Sequence, residues 1–159
     1  MREETTPMRR KERERDADFA WRVLDTAPYA TLATVNAAGA PCCVPVSPAR
    51  LGDAIVFHCA VAGEKLDNLA ANPAVCLSAV SRADVIPGKF TVGYDSAVFH
   101  GRAHIVTDPR ERRAALYAIT ERYAPADLAG LDEEIERFGA RTVIVRIVPE
   151  TITGKSNPL

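Results

Sequence analysis

Apolar and polar positions follow two periods along this chain, and the changes between them mark its elements. Ala20, Val23 and Leu24 recur at helical spacing behind Asp16 and Asp18, either of which can cap a helix that runs to about Asp25 before Pro28 ends it. From Tyr29 the period becomes two. YATLATVN and CCVPVSPAR flank NAAGAP, whose Gly39 and Pro41 suit a turn, and LGDA leads into AIVFHC, so the pattern predicts an antiparallel meander. EKLDNLAAN reads as a short helix ending at Asn72-Pro73, AVCLSAV as a buried strand and SRADVIPGKFTVG as a loop. In YDSAVFHGRAHIV, Ala97, Phe99, Gly101, Ala103 and Ile105 share one face, and Ser96, Val98, His100, Arg102 and His104 the other. Asp108 then caps a helix with Pro109 at its first position and Glu111 completing a capping box, carrying Ala115, Leu116, Ile119 and Tyr123 on one stripe. A short helix over LDEEIERF stops at Gly139, and RTVIVRIV is the last strong strand. About six strands, mostly consecutive, with three or four helices, predict a β-rich α+β fold built as an antiparallel barrel or curled sheet.

Composition narrows this picture. The chain has 159 residues and is 47% hydrophobic, enough for one domain burying roughly 70% of the surface its unfolded form exposes. The first sixteen residues carry six basic and five acidic side chains. They predict a charged arm over 1–15, mobile or partner-bound, ahead of a single domain over 16–159. The net charge of -1, from 20 basic and 21 acidic residues, provides no field to gather nucleic acid or an anionic membrane. MREETTPMRRKERERD has no apolar signal region and no run of 18 apolar residues follows, so the expected location is cytoplasmic.

Familiar site chemistries fit poorly. Cys42, Cys43, Cys59 and Cys76 lack metal-binding spacing and are expected to be free thiols, a redox role for Cys43 or Cys59 being the alternative. His100 and His104 on one strand face would lie roughly 13 Å apart, too far to chelate one ion alone, and no metal site is predicted. There is no GxGxxG or GxSxG, and Gly154-Lys155-Ser156 imitates a P-loop with Pro149 in place of its first glycine and no room for a following helix. Ser47, Ser78 and Ser96 have no context that identifies a base, so no catalytic side chain emerges.

One segment does suggest binding. In IVFHCAVAGEKLDN a strand carries His58 into a small-residue loop, and Lys65 follows at a helix start. Ala60, Ala62 and Gly63 allow close backbone approach, the first helical N–H groups are unpaired, and Lys65 adds a positive charge, which together make a cradle for phosphate. The plainer readings are a solvated helix lysine and a strand histidine satisfied by a backbone carbonyl.

The strings MRRKERE, YATLATVNAAGAPCCVPVS, IVFHCAVAGEKLDNLAANPAVC, YDSAVFHGRAHIV and the terminal ITGK, in this order and spacing, resemble the flavin-binding split-barrel superfamily that includes pyridoxamine 5'-phosphate oxidases, in its nitroimidazole-resistance reductase branch. The resemblance implies a six-stranded antiparallel split β-barrel that forms a homodimer, with FMN in clefts between subunits. It implies Lys65 at the phosphate with His58 nearby, Val44, Pro45, Val46 and Ser47 along the isoalloxazine, and Tyr94 or Ser96 approaching from the other long strand. Lys155 would lie in a tail near the cofactor or the second subunit. The implied activity is transfer of reducing equivalents from NAD(P)H through FMN to a small acceptor such as a nitroaromatic. The alternative is a non-catalytic flavin or haem carrier or sensor, haem drawing its ligand from His58, His100 or His104.

Overall fold

The computed structural model describes residues 6–159 and contains eight strands and four α-helices. The strands are β1 (Glu14–Arg15), β2 (Ala30–Val35), β3 (Pro41–Val46), β4 (Ala49–Leu51), β5 (Ala54–Ala60), β6 (Ala74–Ile86), β7 (Thr91–Val106) and β8 (Thr142–Asn157). The helices are α1 (Ala17–Thr26), α2 (Glu64–Ala71), α3 (Pro109–Tyr123) and α4 (Leu131–Phe138). All pairings are antiparallel, in the order β3-β2-β6-β7-β8-β5-β4, with β1 added to β8. The expected six strands are therefore eight. The two extra ones, β1 and β4, have only two and three residues, too few to show a period in sequence.

The connectivity forces this sheet to curl. Its path ends at β3 and β4, yet only Ser47 and Pro48 separate those strands in the chain. Three Cα steps reach about 11 Å, whereas the six strand gaps along the path would hold the ends of a flat sheet about 29 Å apart. The sheet closes on itself around a core in which Leu32, Leu77, Phe99, Phe57, Ile55, Val145 and Ile147 are fully buried.

Helix α1 plugs this core. Asp16 caps it by accepting from Phe19 N at 2.8 Å, and Ala20, Trp21, Val23 and Leu24 turn inward, with the Trp21 and Phe99 rings 5.0 Å apart. On the outer side, Ala115 and Ile119 of α3 cover Ala49, Val56, Val106 and Ile144. β5 is thus buried on both faces over Ala54–Phe57, which explains its unbroken apolar run.

Four expectations change at this level. SRADVIPGKFTVG is no loop: β6 and β7 continue pairing through it, Ile86 opposite Thr91, and turn at Pro87–Phe90. Ile105 is 44% exposed, because beyond Ala103 the core shifts to the face under α3 and buries Val106 instead. Glu111 completes only half of the capping box: its N–H bonds the Asp108 carboxylate at 2.9 Å, but its own carboxylate accepts from Arg146 at 2.8 Å. Of the charged arm, residues 1–5 lie outside the described residues, while Lys11–Arg13 form a helical turn and Glu14 and Arg15 pair with Lys155 and Gly154.

Candidate functional site

Helix α2 positions the first element of the site. Gly63 precedes it at φ 141°, a conformation that favours glycine, and an added Cβ there would meet open space. No side chain caps the helix start. The helix is held in place by Leu69 in the core and by the buried Asn68 amide, which donates to Thr34 Oγ1 at 3.0 Å. Lys65 stands one turn earlier, half-buried, so its ammonium is directed by a fixed helix.

A cavity of about 340 Å³ is lined by Tyr29, Pro45, Val46, Ser47, His58, Cys59 and Lys65. Chain segments far apart in sequence thus meet: the entry to β2, the end of β3, the end of β5 and the start of α2. His58 and Pro45 are exposed toward it and Val46 is buried beneath. Val44, Ala60 and Gly63 flank the lining in sequence without being part of it. Tyr94 and Ser96 lie away from it on β7. Tyr94 sits under the Arg13 guanidinium at 6.0 Å, and Ser96 donates to the Lys155 carbonyl at 3.4 Å. Two lining residues escaped the sequence reading. Tyr29 is more than half exposed at a strand entry, and its only signal was being a large aromatic in an otherwise small-residue stretch. Cys59 was read as a thiol.

The ionisable groups fit a binding role better than a thiol chemistry. Burial pushes the Cys59 thiol up, against a smaller opposing pull from Lys65, which disfavours the thiolate that redox or nucleophilic work needs. The Glu64 carboxylate, 3.1 Å from its sulfur, raises the Cys42 thiol, and burial raises Cys76. All four cysteines are free. Among the described residues no group of three or more His, Cys, Asp or Glu is arranged for a metal. His100 instead lies 3.9 Å from the Cys76 sulfur.

The terminal ITGK belongs to β8. Ser156 and Asn157 are buried, Ser156 donates to Asp95 at 2.6 Å, and Lys155 pairs between Glu14 and Ser96. The strand context removes the phosphate-loop reading of Gly154-Lys155-Ser156.

A family model described as pyridoxamine 5'-phosphate oxidase matches residues 16–156. No curated protein matches the chain. Among solved structures, a flavocytochrome from Azotobacter vinelandii is similar at TM-score 0.80 and 21% identity, over 98% of this chain and 74% of that one. An FAD and heme binding protein from Mycobacterium smegmatis is similar at TM-score 0.78 and 25% identity, over 89% and 71%. A candidate 5-nitroimidazole antibiotic resistance protein from Bacteroides thetaiotaomicron is similar at TM-score 0.74 and 20% identity, over 88% and 83%.

Proposed function

Because this chain belongs to the pyridoxamine 5'-phosphate oxidase family, we propose that it is an FMN-dependent oxidoreductase of split-barrel architecture, passing reducing equivalents from NAD(P)H to a small acceptor such as a nitroaromatic. The observation that carries this reading is the meeting of Lys65, His58 and the Pro45–Ser47 strand end in one cavity beside an uncapped helix start. The donor set suits a flavin phosphate: a lysine charge, the N–H groups of Glu64 and Lys65 ahead of the first helical bond from Leu66 N to the Gly63 carbonyl, and a loop at Gly63 with no side chain in the way. When bound, the flavin supplies the two-electron exchange. The chain's own residues do the rest. Lys65 neutralises the phosphate, Pro45, Val46 and Ser47 give the ring an edge to lie along, and Tyr29 and His58 wall the cavity. Val44, Ala60 and Gly63 shape the adjoining backbone, and Tyr94 and Ser96 join the site only through a second subunit.

The cavity is an open groove, and Tyr29 and Val61 remain 56% and 59% exposed. A homodimer would cover these side chains and enclose the ring, as an isologous contact does for both copies at once. A second reading, a non-catalytic flavin or haem carrier, is favoured by the named ligands of the Mycobacterium smegmatis protein and by His58, a cavity-lining imidazole that could bind haem iron.

Purified protein separates the two. Flavin absorption bands together with acceptor-dependent oxidation of NAD(P)H are expected for the reductase, and a Soret band replaces them if the protein carries haem. Colourless protein that takes up no added FMN overturns the flavin assignment.

A further inference from the structure

A second cavity of about 340 Å³ adjoins the first and shares Tyr29 with it; Pro28, Thr31, Ser78, Val80, Ser81, Arg82 and Ala83 complete its lining. The sheet register fixes how the two abut. Thr31 pairs with Pro45 on one side and with Ser78 on the other, so the three side chains form one row across β3, β2 and β6 on the same face. Pro45 lines the first cavity and Thr31 and Ser78 the second, at about 4.8 Å per strand. A ligand in one cavity therefore lies against a ligand in the other, with Tyr29 as their common wall.

The chemistry of the second cavity is decided by Arg82. A guanidinium has five N–H donors. Here Nε donates to Asp95 at 2.9 Å, Nη1 to Asp84 at 3.2 Å and to the Leu159 carbonyl at 3.3 Å, and Nη2 to Asp95 at 3.5 Å and to the Asn157 carbonyl at 2.8 Å. All five are used within the protein. Two carboxylates face this one cation, with Arg15 acting on Asp95 as a further positive charge, so the surroundings offer an anion no unmatched charge. What remains for a ligand are the hydroxyls of Tyr29, Thr31, Ser78 and Ser81, which both donate and accept, and the apolar sides of Pro28 and Val80. A carboxylate or phosphate would lose its hydration there without a charged partner.

We propose that this cavity binds an uncharged ring compound carrying a hydrogen-bonding substituent, such as a carboxamide or nitro group. Its role as the seat of the flavin's reaction partner rests on the function proposed above, whereas its preference for neutral ligands rests on its own residues. Two sources share this chemistry, a nitroaromatic acceptor and the nicotinamide ring of the reductant.

Calorimetric titration of the full chain, with and without FMN, tests the site using 4-nitrobenzamide and nicotinamide against their carboxylates, 4-nitrobenzoate and nicotinate. The amides are expected to bind about tenfold more tightly than the carboxylates, and Thr31→Val and Ser78→Ala each to weaken amide binding about five- to tenfold, the equivalent of one hydrogen bond. FMN affinity should not change in either variant. Absence of amide binding, equal affinity for amide and carboxylate, or amide affinity untouched by both substitutions overturns the proposal. Tighter binding of 4-nitrobenzamide assigns the cavity to the acceptor, and tighter binding of nicotinamide to the reductant. Loss of FMN uptake with the amide preference intact removes the flavin assignment alone, while FMN uptake without that preference removes this site alone.

Discussion

Lys65 and His58 share one cavity but carry different physical roles, and substitution separates them. Lys65 is half-buried on a helix anchored by Asn68 and Leu69, so its charge is aimed at little entropic cost. Lys65→Ala should weaken FMN binding by about 1–3 kcal/mol, the range for a lost charge-assisted hydrogen bond, as read by fluorescence titration. Unchanged affinity would remove Lys65 from the phosphate site. His58 is exposed at the end of β5 and its backbone ladder to Ile144 does not depend on the ring. His58→Ala should therefore shift the bound flavin spectrum or turnover while leaving stability within about 0.5 kcal/mol. A large drop in melting temperature with an unaltered spectrum would make it a purely structural residue. These two residues were legible from the strand, glycine and lysine pattern, because that pattern is local. Tyr29 and Cys59 were not, since what makes them lining residues is the approach of β2 to β5 across the curled sheet.

Between elements, two arginines fasten the walls of the site. Arg122 on α3 donates to the carbonyls of Leu24, Ala27 and Pro48, and Tyr123 adds a bond to Pro48 at 2.8 Å. Ala27 lies two residues before Tyr29, and Pro48 directly follows Ser47, so one guanidinium holds two of the chain segments that line the cavities. Arg122→Ala should cost about 2–3 kcal/mol in a urea midpoint and weaken FMN binding as well, with partial recovery in Arg122→Lys. Stability loss with full FMN affinity would confine Arg122 to packing. Arg82 works at the other end, tying β6 to the β8 terminus, and with Ser156 it holds the Asp95 carboxyl below the usual carboxylate range. A depressed folded-state pKa contributes stability at pH above the unfolded value, and that contribution is lost as pH falls through the folded one. Hydrogen exchange at Ser156 and Asn157 should accordingly quicken as pH drops below about 4 after correction for intrinsic rates, and Asp95→Asn should remove this pH dependence. An identical profile in the variant would show that another group controls the tail. Neither arginine could be singled out in the sequence, as every partner but Asp84 lies 13 to 98 residues away.

At the scale of the whole molecule, the irregular pairing of the two longest strands at the centre of the sheet sets what substitutions it tolerates. At the β7–β8 irregularity, where His100 faces Thr151 and Gly101 faces Pro149, a Cβ on Gly101 would strike the Val148 carbonyl. Gly101→Ala should destabilise the fold by about 1–3 kcal/mol in chemical denaturation, as overpacking does against unyielding backbone. A neutral effect would mean that the two long strands can part locally.

Periodicity alone determined the helices and most of the strands, because α1, α3, β2 and β7 each bury one face and so carry their period in the residues themselves. The local glycine and lysine pattern also determined the loop before α2 and Lys65 in its first turn, because these are neighbours in the chain. Tertiary structure decided the rest: the short strands β1 and β4, the long β6–β7 hairpin, the partners of Arg82 and Arg122, and the pairing of two cavities across Tyr29. Apart from the hairpin, whose strands are neighbours in the chain, these depend on contacts between distant segments, and a two-residue link at Ser47-Pro48 draws the ends of the sheet together.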